Sequence, residues 1–224
     1  MNENLKSNEL KNGLKYRNKP SRFLKPGRFV DFLLSIIGLL ILLPVLLVIM
    51  LCIPLDSRGG IFFLQTRVGK GGKDFRLIKF RTMARGADKL GDLTVGSRDS
   101  RITRFGYFLR RFKLDELPQL INVLIGDMSL VGPRPELRKY VEMYTEEQKK
   151  VLTVRPGLTD YASIEYVNEN ELLGLSANPE KTYTEEVMPA KIQLNMRFIN
   201  DPTTSTYLKI LYITLFRVFN NKPQ

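Results

Sequence analysis

The chain has 224 residues, carries a formal net charge of +12, is 43% hydrophobic, and contains one cysteine but no histidine or tryptophan. One cysteine and no histidine exclude an internal disulfide, a multi-cysteine zinc site, a Ser-His-Asp triad, a Cys-His pair and imidazole metal ligands. Catalytic groups must therefore be carboxylates, Lys, Tyr, Ser, Thr or Cys52, and the positive charge favours anionic partners such as phosphate, nucleic acid or lipid.

The first part of the chain changes abruptly from polar to apolar. Residues 1–25 are rich in Lys and Asn, which predicts a disordered basic arm. The 24 residues 32–55 carry no charge and are dominated by Leu, Ile and Val. An uncharged apolar run longer than about 18 residues is typical of a membrane helix.

Two interpretations of this apolar run remain open from charge and proline alone. A straight helix over 32–53 would be about 33 Å long, which is enough to span a bilayer. Pro44 predicts a kink, and the basic flanks on both sides favour a re-entrant helix that keeps both flanks in the cytoplasm. Arg28 and Asp31 either start this helix at the membrane interface or form a simple i,i+3 pair.

Beyond the apolar run the pattern is that of a soluble domain. Residues 61–64 and 75–80 are typical of two strands joined by a glycine-rich turn, whose spacing fits neither a P-loop nor a dinucleotide fingerprint. A helix is predicted over 102–112, with arginines beside aromatic side chains. The apolar stretch 207–219 is too short to span and either lies at the interface or packs on the domain.

Residues 113–126 have helical spacing and carry two adjacent acids. Pro118 is tolerated only in a first turn, so the helix is predicted to begin near Asp115 and to end at Gly126. In one interpretation Asp115 is an N-cap and Glu116 a first-turn acid favoured by the helix dipole. In the other, the cations that precede them make a phosphate site, where carboxylates beside a pyrophosphate suggest Mg²⁺.

A proline-rich segment follows this predicted helix. Two prolines flank Arg134 and hold its backbone extended, so that the guanidinium is presented with little conformational freedom. The alternative is a plain turn before a helix over 136–151. Pro156 and Gly157 together predict a type II turn.

These segments resemble, in order and spacing, the bacterial sugar transferase family, the small monotopic polyprenyl-phosphate phosphoglycosyl transferases. The resemblance covers roughly residues 25–215 and rests on Lys-Phe-Arg-Thr-Met at 79–83, Leu-Asp-Glu-Leu-Pro-Gln at 114–119, Asn-Val at 122–123, Gly-Asp-Met-Ser-Leu-Val-Gly-Pro-Arg-Pro at 126–135 and Arg-Pro-Gly-Leu-Thr at 155–159.

The resemblance implies a mostly helical α+β fold in a monotopic membrane protein. Its expected parts are a re-entrant N-terminal helix kinked at Pro44, a short β-hairpin and interfacial amphipathic helices. The expected domains are a basic arm over 1–25, the re-entrant helix over 26–55, a catalytic domain over 56–219 and a tail over 220–224. The domain is expected on the cytoplasmic face of the bacterial inner membrane.

The resemblance also implies an activity. A sugar-1-phosphate would pass from a UDP-sugar to undecaprenyl phosphate, with release of UMP, through a covalent aspartyl-phosphosugar intermediate, to initiate a surface glycan. Asp115 matches the family's nucleophile and Glu116 its partner carboxylate at a Mg²⁺ site. The remaining expected substrate contacts are Arg110 and Arg134 for phosphate or nucleotide, with Lys79 and Gln119 as further positions. A carboxylate that attacks phosphorus forms an acyl phosphate, so histidine is not needed.

The chain departs from the family pattern at a few positions. Leu43 stands where serine is common, Asp-Tyr-Ala-Ser at 160–163 replaces Gly-Trp-Ala-Gln, Val167 stands where arginine is common and Tyr207 where aspartate is common. The last two changes have two interpretations: the loss of both partners of one salt bridge, or a change in the pocket that binds the sugar donor.

Two other classes of function are compatible with parts of the sequence. One is a non-catalytic basic membrane module that binds acidic lipid or nucleic acid, and the other is a family member that has become a scaffold. The ordered acid, arginine and proline motifs favour the transferase, for which no nucleic-acid partner is expected. The sequence leaves the sugar, the glycan pathway and a second copy of the chain as partner undetermined.

Overall fold

The computed structural model describes residues 27–96 and 99–220, with all side chains in these ranges except those of residues 88, 89 and 218–220. The basic arm predicted over 1–25 lies outside the described residues, as does most of the predicted tail.

The described chain is mostly helical, as predicted. The elements are, in order, α1 (Arg28–Asp56), β1 (Phe62–Val68), β2 (Asp74–Phe80), α2 (Arg104–Arg111), α3 (Gln119–Ile125), β3 (Ser129–Val131), α4 (Arg138–Val141), β4 (Gly157–Thr159), α5 (Tyr161–Glu165), α6 (Glu169–Gly174), α7 (Pro179–Thr182), α8 (Met188–Asn200) and α9 (Thr204–Asn220). Short 3₁₀ turns cover Lys70–Gly72, Ala87–Leu90, Leu114–Glu116 and Gln148–Thr153, and a π-helical turn covers Tyr183–Val187.

The predicted hairpin is confirmed and is longer than predicted. Strands β1 and β2 pair antiparallel, with Phe62 opposite Phe80 and Val68 opposite Asp74. A second sheet joins β3 and β4 in parallel, with Ser129 opposite Gly157.

The predicted type II turn at Gly157 is wrong. Gly157 does not have the positive φ that such a turn requires. It begins β4 instead, where a Cβ atom would lie 2.1 Å from the backbone nitrogen of Gly132. Glycine is needed here because the two backbones approach closely.

Helix α1 is a single helix of 29 residues that contains both Pro44 and Pro54. It is long and apolar enough to cross a membrane, and many of its apolar side chains are exposed. The helix continues through Pro44, so the predicted kink is not confirmed.

Both ends of α1 are attached to the rest of the chain. At its start, the Arg28 guanidinium donates to the carbonyl oxygens of Val123 and Leu124. At its end, the backbone N–H of Phe105 donates to the Asp56 carboxylate at 3.1 Å. The helix therefore lies along the domain and does not extend away from it.

The suggested pairing of Arg28 with Asp31 is wrong, because each residue bonds to the domain. The buried Asp31 carboxylate accepts hydrogen bonds from the Ser129 hydroxyl at 2.8 Å, the Leu130 backbone N–H at 3.2 Å and the Tyr207 hydroxyl. Tyr207, one of the departures from the family pattern, thus helps to hold α1 on the domain.

The hydrophobic core has three parts. One packs α4, the π-helical turn and α8 against the end of β1. A second lies between β2, α3, β3 and α9, and a third between the C-terminal half of α1, β2 and α2. In α9 the side chains of Tyr207 and Ile210 are buried, which confirms that this segment packs on the domain, whereas Tyr212 and Phe216 are exposed. Its place at a membrane interface stays a prediction.

Two predicted helices are shorter than expected. The helix predicted over 136–151 is wrong: the chain forms α4 and then a separate 3₁₀ turn. The reason is a capping box, in which the Thr145 hydroxyl and the Gln148 side chain each accept the other's backbone N–H, at 3.2 and 2.9 Å. The helix predicted to begin near Asp115 begins after Pro118, preceded by the 3₁₀ turn Leu114–Glu116.

Candidate active site

The two adjacent acids lie in the tight turn between α2 and α3. Lys113, at the start of this turn, has a φ of 56° and is the one non-glycine residue in the described ranges with a positive φ. Such a conformation is strained for a lysine, and strain of this kind is concentrated at functional sites. The turn places Asp115 and Glu116 immediately before α3.

A buried asparagine fixes α3 against the hairpin. The Asn122 amide donates to the Arg76 carbonyl oxygen at 2.8 Å and accepts the Ile78 backbone N–H at 3.0 Å. Because Asn122 uses both ends of its amide on β2, it sets the position of the acids relative to Lys79 on the same strand.

Glu116 is held by two cations. The Arg134 guanidinium donates to both carboxylate oxygens, with Nη1 3.0 Å from Oε2, and Lys79 Nζ lies 3.7 Å from Oε1. Burial alone would raise the pKa of Glu116, but Arg134 and Lys79 hold that pKa well below its usual range. Glu116 is therefore ionised and charge-compensated.

Asp115 is in the opposite situation. Its carboxylate is buried, with a relative exposure of 7%, and accepts no hydrogen bond from any residue in the described part of the chain. Burial, followed by the neighbouring charge of Glu116, raises the pKa of Asp115, against the opposing effect of Lys79 and Arg110. A carboxylate without donors keeps its lone pairs free for attack.

The Lys79 ammonium lies beside these acids, and its charge depends on pH. Burial lowers the pKa of Lys79 to about 8, although Glu116 opposes the change. Lys79 is therefore mostly protonated at neutral pH and loses its charge in mildly alkaline solution.

Arg110 and Gln119 lie at the edges of this group. Arg110 donates to the hydroxyls of Thr82 at 2.9 Å and Thr94 at 3.0 Å, and burial lowers its pKa. The Gln119 side chain is buried, and its Nε2 has no partner within the described residues. The predicted substrate contacts of both residues stay predictions.

The carboxylates of this site fit a magnesium ion only if substrate phosphates also bind it. No group of three or more acidic, Cys or His side chains in the described ranges could hold a metal ion. Mg²⁺ nevertheless binds through one or two carboxylates when substrate phosphates and water complete its shell. Arg134 takes one acceptor position on each Glu116 oxygen, and a carboxylate offers about four. Glu116, beside Asp115, therefore fits a magnesium ion that arrives with a pyrophosphate.

The backbone of the segment that presents Arg134 is held by three hydrogen bonds to distant residues. Gly157 N–H donates to the Pro133 carbonyl at 2.9 Å, and Arg67 Nη1 donates to the Pro135 carbonyl at 3.2 Å. The Arg134 N–H donates to the Asp160 carboxylate at 3.0 Å.

Sequence reasoning missed these supporting residues. Arg67 counted only as part of a basic flank and Asp160 only as a departure from the family. One contact of Arg67 could have been predicted from the strand pattern. Alternation along β1 places Arg67 on the same face as Gln65, and its Nε donates to the Gln65 side chain at 3.0 Å.

The assembled group has a definite chemical capacity. The buried Asp115 carboxylate, which has no hydrogen-bond partner in residues 27–96 and 99–220, adjoins the Glu116 carboxylate, whose charge is neutralised by Arg134 and Lys79. This arrangement can bind the phosphates of a substrate with its cations while the free carboxylate attacks phosphorus.

Comparison with known proteins shows the family of the chain. The family model described as bacterial sugar transferase matches residues 21–221. A UDP-N-acetylgalactosamine-undecaprenyl-phosphate N-acetylgalactosaminephosphotransferase from Aeromonas hydrophila is 41% identical over 145 residues, which are 63% of this chain and 34% of that protein. A UDP-glucose:undecaprenyl-phosphate glucose-1-phosphate transferase from Escherichia coli is 37% identical over 209 residues, 90% of this chain and 41% of that protein.

A shorter relative matches over more of its own length. The uncharacterized sugar transferase EpsL from Bacillus subtilis is 39% identical over 158 residues, which are 70% of this chain and 69% of that protein. The chain thus spans less than half the length of the Aeromonas and Escherichia relatives and about two thirds of the Bacillus one.

Proposed function

Because the chain belongs to the bacterial sugar transferase family, we propose that it transfers a sugar-1-phosphate from a UDP-sugar to undecaprenyl phosphate. The names of the Aeromonas and Escherichia relatives contain both a UDP-sugar and undecaprenyl phosphate. The observation that carries the proposal is the buried Asp115 carboxylate, which accepts no hydrogen bond from the described residues, beside a Glu116 held by Arg134 and Lys79.

In the first half-reaction the Asp115 carboxylate attacks the phosphorus that carries the sugar. A new bond forms between an Asp115 oxygen and phosphorus, and the bond from that phosphorus to the bridging oxygen of UMP breaks. UMP leaves with the bonding electron pair, and the enzyme holds an aspartyl-phosphosugar. Asp115 suits this step because no hydrogen bond from the described residues occupies its oxygens.

In the second half-reaction a phosphate oxygen of the lipid attacks the same phosphorus. The bond between phosphorus and Asp115 breaks, which restores the carboxylate and leaves the sugar on a lipid diphosphate. One site therefore serves a soluble donor and a membrane acceptor in turn.

The cations of the site offset the charge of these phosphates. Lys79 and Arg134 form ion pairs with Glu116 and contribute positive charge beside Asp115. Arg110 would have to give up its hydrogen bonds to Thr82 and Thr94 to reach a phosphate. Magnesium held by Glu116 would supply further charge compensation for the pyrophosphate and the departing UMP.

The membrane part of the proposal rests on α1 and on two amphipathic helices. Apolar side chains are exposed along α1, on α2 and on α9, among them Leu40, Leu51, Tyr107, Phe108, Tyr212 and Phe216. Because both ends of α1 bond to one domain, we propose that α1 enters the cytoplasmic leaflet without crossing it and bends at Pro44 within lipid.

The test is UMP release by the full chain in lipid nanodiscs, with undecaprenyl phosphate, Mg²⁺ and a panel of UDP-sugars. We expect turnover with at least one donor and its loss in Asp115→Asn. The matched control is Asp201→Asn, which changes an exposed aspartate far along the chain. Equal turnover of wild type and Asp115→Asn would remove the mechanism.

A further inference from the structure

Asp160 is a buried carboxylate outside the catalytic turn. It has a relative exposure of 1% and precedes α5 as its N-cap. Its Oδ1 accepts the Ser163 backbone N–H at 2.6 Å, and its Oδ2 accepts the Asn195 amide at 2.7 Å and the Arg134 backbone N–H at 3.0 Å. One side chain therefore links α5, α8 and the segment that carries Arg134.

The bond to Arg134 has no substitute within its own segment. Residues 133 and 135 are prolines, which lack a backbone N–H, so Arg134 provides the only backbone donor of this tripeptide. Asp160 accepts that donor, and Pro133 and Pro135 accept bonds from Gly157 and Arg67 through their carbonyls. Removal of the Asp160 oxygen would leave a half-buried N–H without a partner.

The same bond acts on the candidate active site. The Arg134 guanidinium spans both oxygens of Glu116, which is a planar two-point contact that tolerates little displacement of the Arg134 backbone. The Asp160 charge also contributes, after Glu116, to raising the pKa of Arg134. Asp160 makes no hydrogen bond to Asp115 or Glu116, and its hydrogen-bonded link to Glu116 runs through Arg134.

The geometry points to Asp160 as a positioning residue of the transferase: its carboxylate fixes the Arg134 backbone and thereby keeps the guanidinium on Glu116. This inference rests on the proposed function. The competing role is a purely structural helix cap for α5, for which the bond to Ser163 would be sufficient.

The variant Asp160→Ser separates these two roles. Serine is as good an N-cap as aspartate, so it retains the bond to the residue 163 N–H. Its single, shorter hydroxyl does not also reach Arg134. The matched control is Asn178→Ala, which removes the N-cap of α7, where Asn178 accepts the Lys181 N–H at 3.1 Å.

The first readout is independent of catalysis. In full-length protein labelled with ¹⁵N-arginine, hydrogen exchange of the Arg134 amide reports on the bond to Asp160. We expect exchange in Asp160→Ser to be at least about tenfold faster than in wild type, since the protecting partner is lost. Unchanged protection would overturn the inference, whatever the activity of the enzyme.

The second readout is the rate of UMP release. A displaced Arg134 should lower kcat on the order of 10- to 100-fold in Asp160→Ser, with no loss in Asn178→Ala. The double variant Asp160→Ser/Arg134→Ala should be no slower than Arg134→Ala alone, because Asp160 acts through Arg134. Multiplying effects would overturn the inference, and inactive wild-type protein with every donor would instead remove the proposed function.

A second variant covers the case that Asp160→Ser does not fold. Asn195→Ala leaves the Asp160 carboxylate in place but removes the donor that orients it. Exchange at Arg134 should accelerate and kcat should fall by a smaller factor than in Asp160→Ser. No change in either quantity would contradict the inference.

Discussion

Two buried aspartates of this chain, Asp31 and Asp115, have opposite surroundings. Asp31, on α1, accepts hydrogen bonds from the Ser129 hydroxyl, the Leu130 N–H and the Tyr207 hydroxyl. Asp115 is also buried but accepts no hydrogen bond from the part of the chain that the structure describes, and burial raises its pKa. The same functional group is thus satisfied where it attaches the membrane helix and left unsatisfied where it is proposed to react.

The difference follows from the cost of burying charge. A buried carboxylate with several donors loses little on leaving water and stabilises the elements that supply the donors. A buried carboxylate without donors destabilises the fold but keeps its oxygens available as nucleophiles. Glu116 is intermediate, because Arg134 and Lys79 compensate its charge.

The largest expected effect is on the unsatisfied aspartate. In Asp115→Asn the nucleophile is lost, and UMP release should fall by roughly 10⁴-fold or more, as for other covalent catalysts that lose their nucleophile. Asp31→Asn should retain turnover within about tenfold, since Asp31 lies in the attachment of α1. Comparable losses in both variants would contradict the contrast between them.

The next effect concerns the charge-compensated acid and magnesium. Chelation with EDTA should abolish turnover and added Mg²⁺ should restore it. Glu116→Gln should lower kcat by about 10²-fold and raise the Mg²⁺ concentration for half-maximal rate, since it removes the ligand charge. A Mg²⁺ titration of wild type and Glu116→Gln measures this, with Glu142→Gln as the exposed control. Superimposable titration curves would exclude Glu116 as the ligand.

Stability should change in opposite directions at the two aspartates. The raised pKa of Asp115 means that the folded state disfavours its ionised form, so at neutral pH Asp115→Asn should raise the melting temperature. That gain should disappear as the pH falls below about 4, where the acid is protonated in both states. Asp31→Asn and Tyr207→Phe should each lower the unfolding free energy by about 1–3 kcal/mol. Circular dichroism melts measure all three, and the same sign for Asp115→Asn and Asp31→Asn would refute the contrast.

The smallest effect is a shift in the pH profile. The Lys79 pKa is lowered to about 8, so the rate of wild type should decline as the pH rises through this value and the cation is lost. In Lys79→Arg the side chain stays charged, so the decline of the rate on the alkaline side should occur at higher pH, even if kcat is lower. An unchanged decline would assign the titration to another group.

The local patterns of the sequence predicted much of the fold. Alternation and glycine content indicated the hairpin, and the last turn of α3 ends at Gly126 with φ 100°, as its position predicted. The division at Thr145 and Gln148 also has a local signal that was overlooked, because Thr-x-x-Gln is the spacing of a capping box, which begins a new helical turn. The close approach at Gly157, by contrast, is a property of two distant backbones.

The residues of the candidate site were likewise only partly predictable from the sequence. The resemblance to the family predicted Asp115, Glu116, Arg134 and Lys79 as site residues, and the structure brings these four together, while their roles stay predictions. The sequence did not indicate that Asp160 fixes Arg134 or that Tyr207 bonds to Asp31, because these partners are 26 and 176 residues apart. Such pairs depend on how the chain folds back on itself and leave no periodic signal.

The central claim is that the Asp115 oxygen becomes bonded to phosphorus during each turnover. Intact mass spectrometry of the protein mixed with its UDP-sugar and Mg²⁺, without lipid acceptor, tests this directly. The account predicts a mass increase of one sugar phosphate, localised to the peptide that contains Asp115 and removed on addition of undecaprenyl phosphate. An active enzyme that never gains this mass, or gains it equally as Asp115→Asn, would contradict the account.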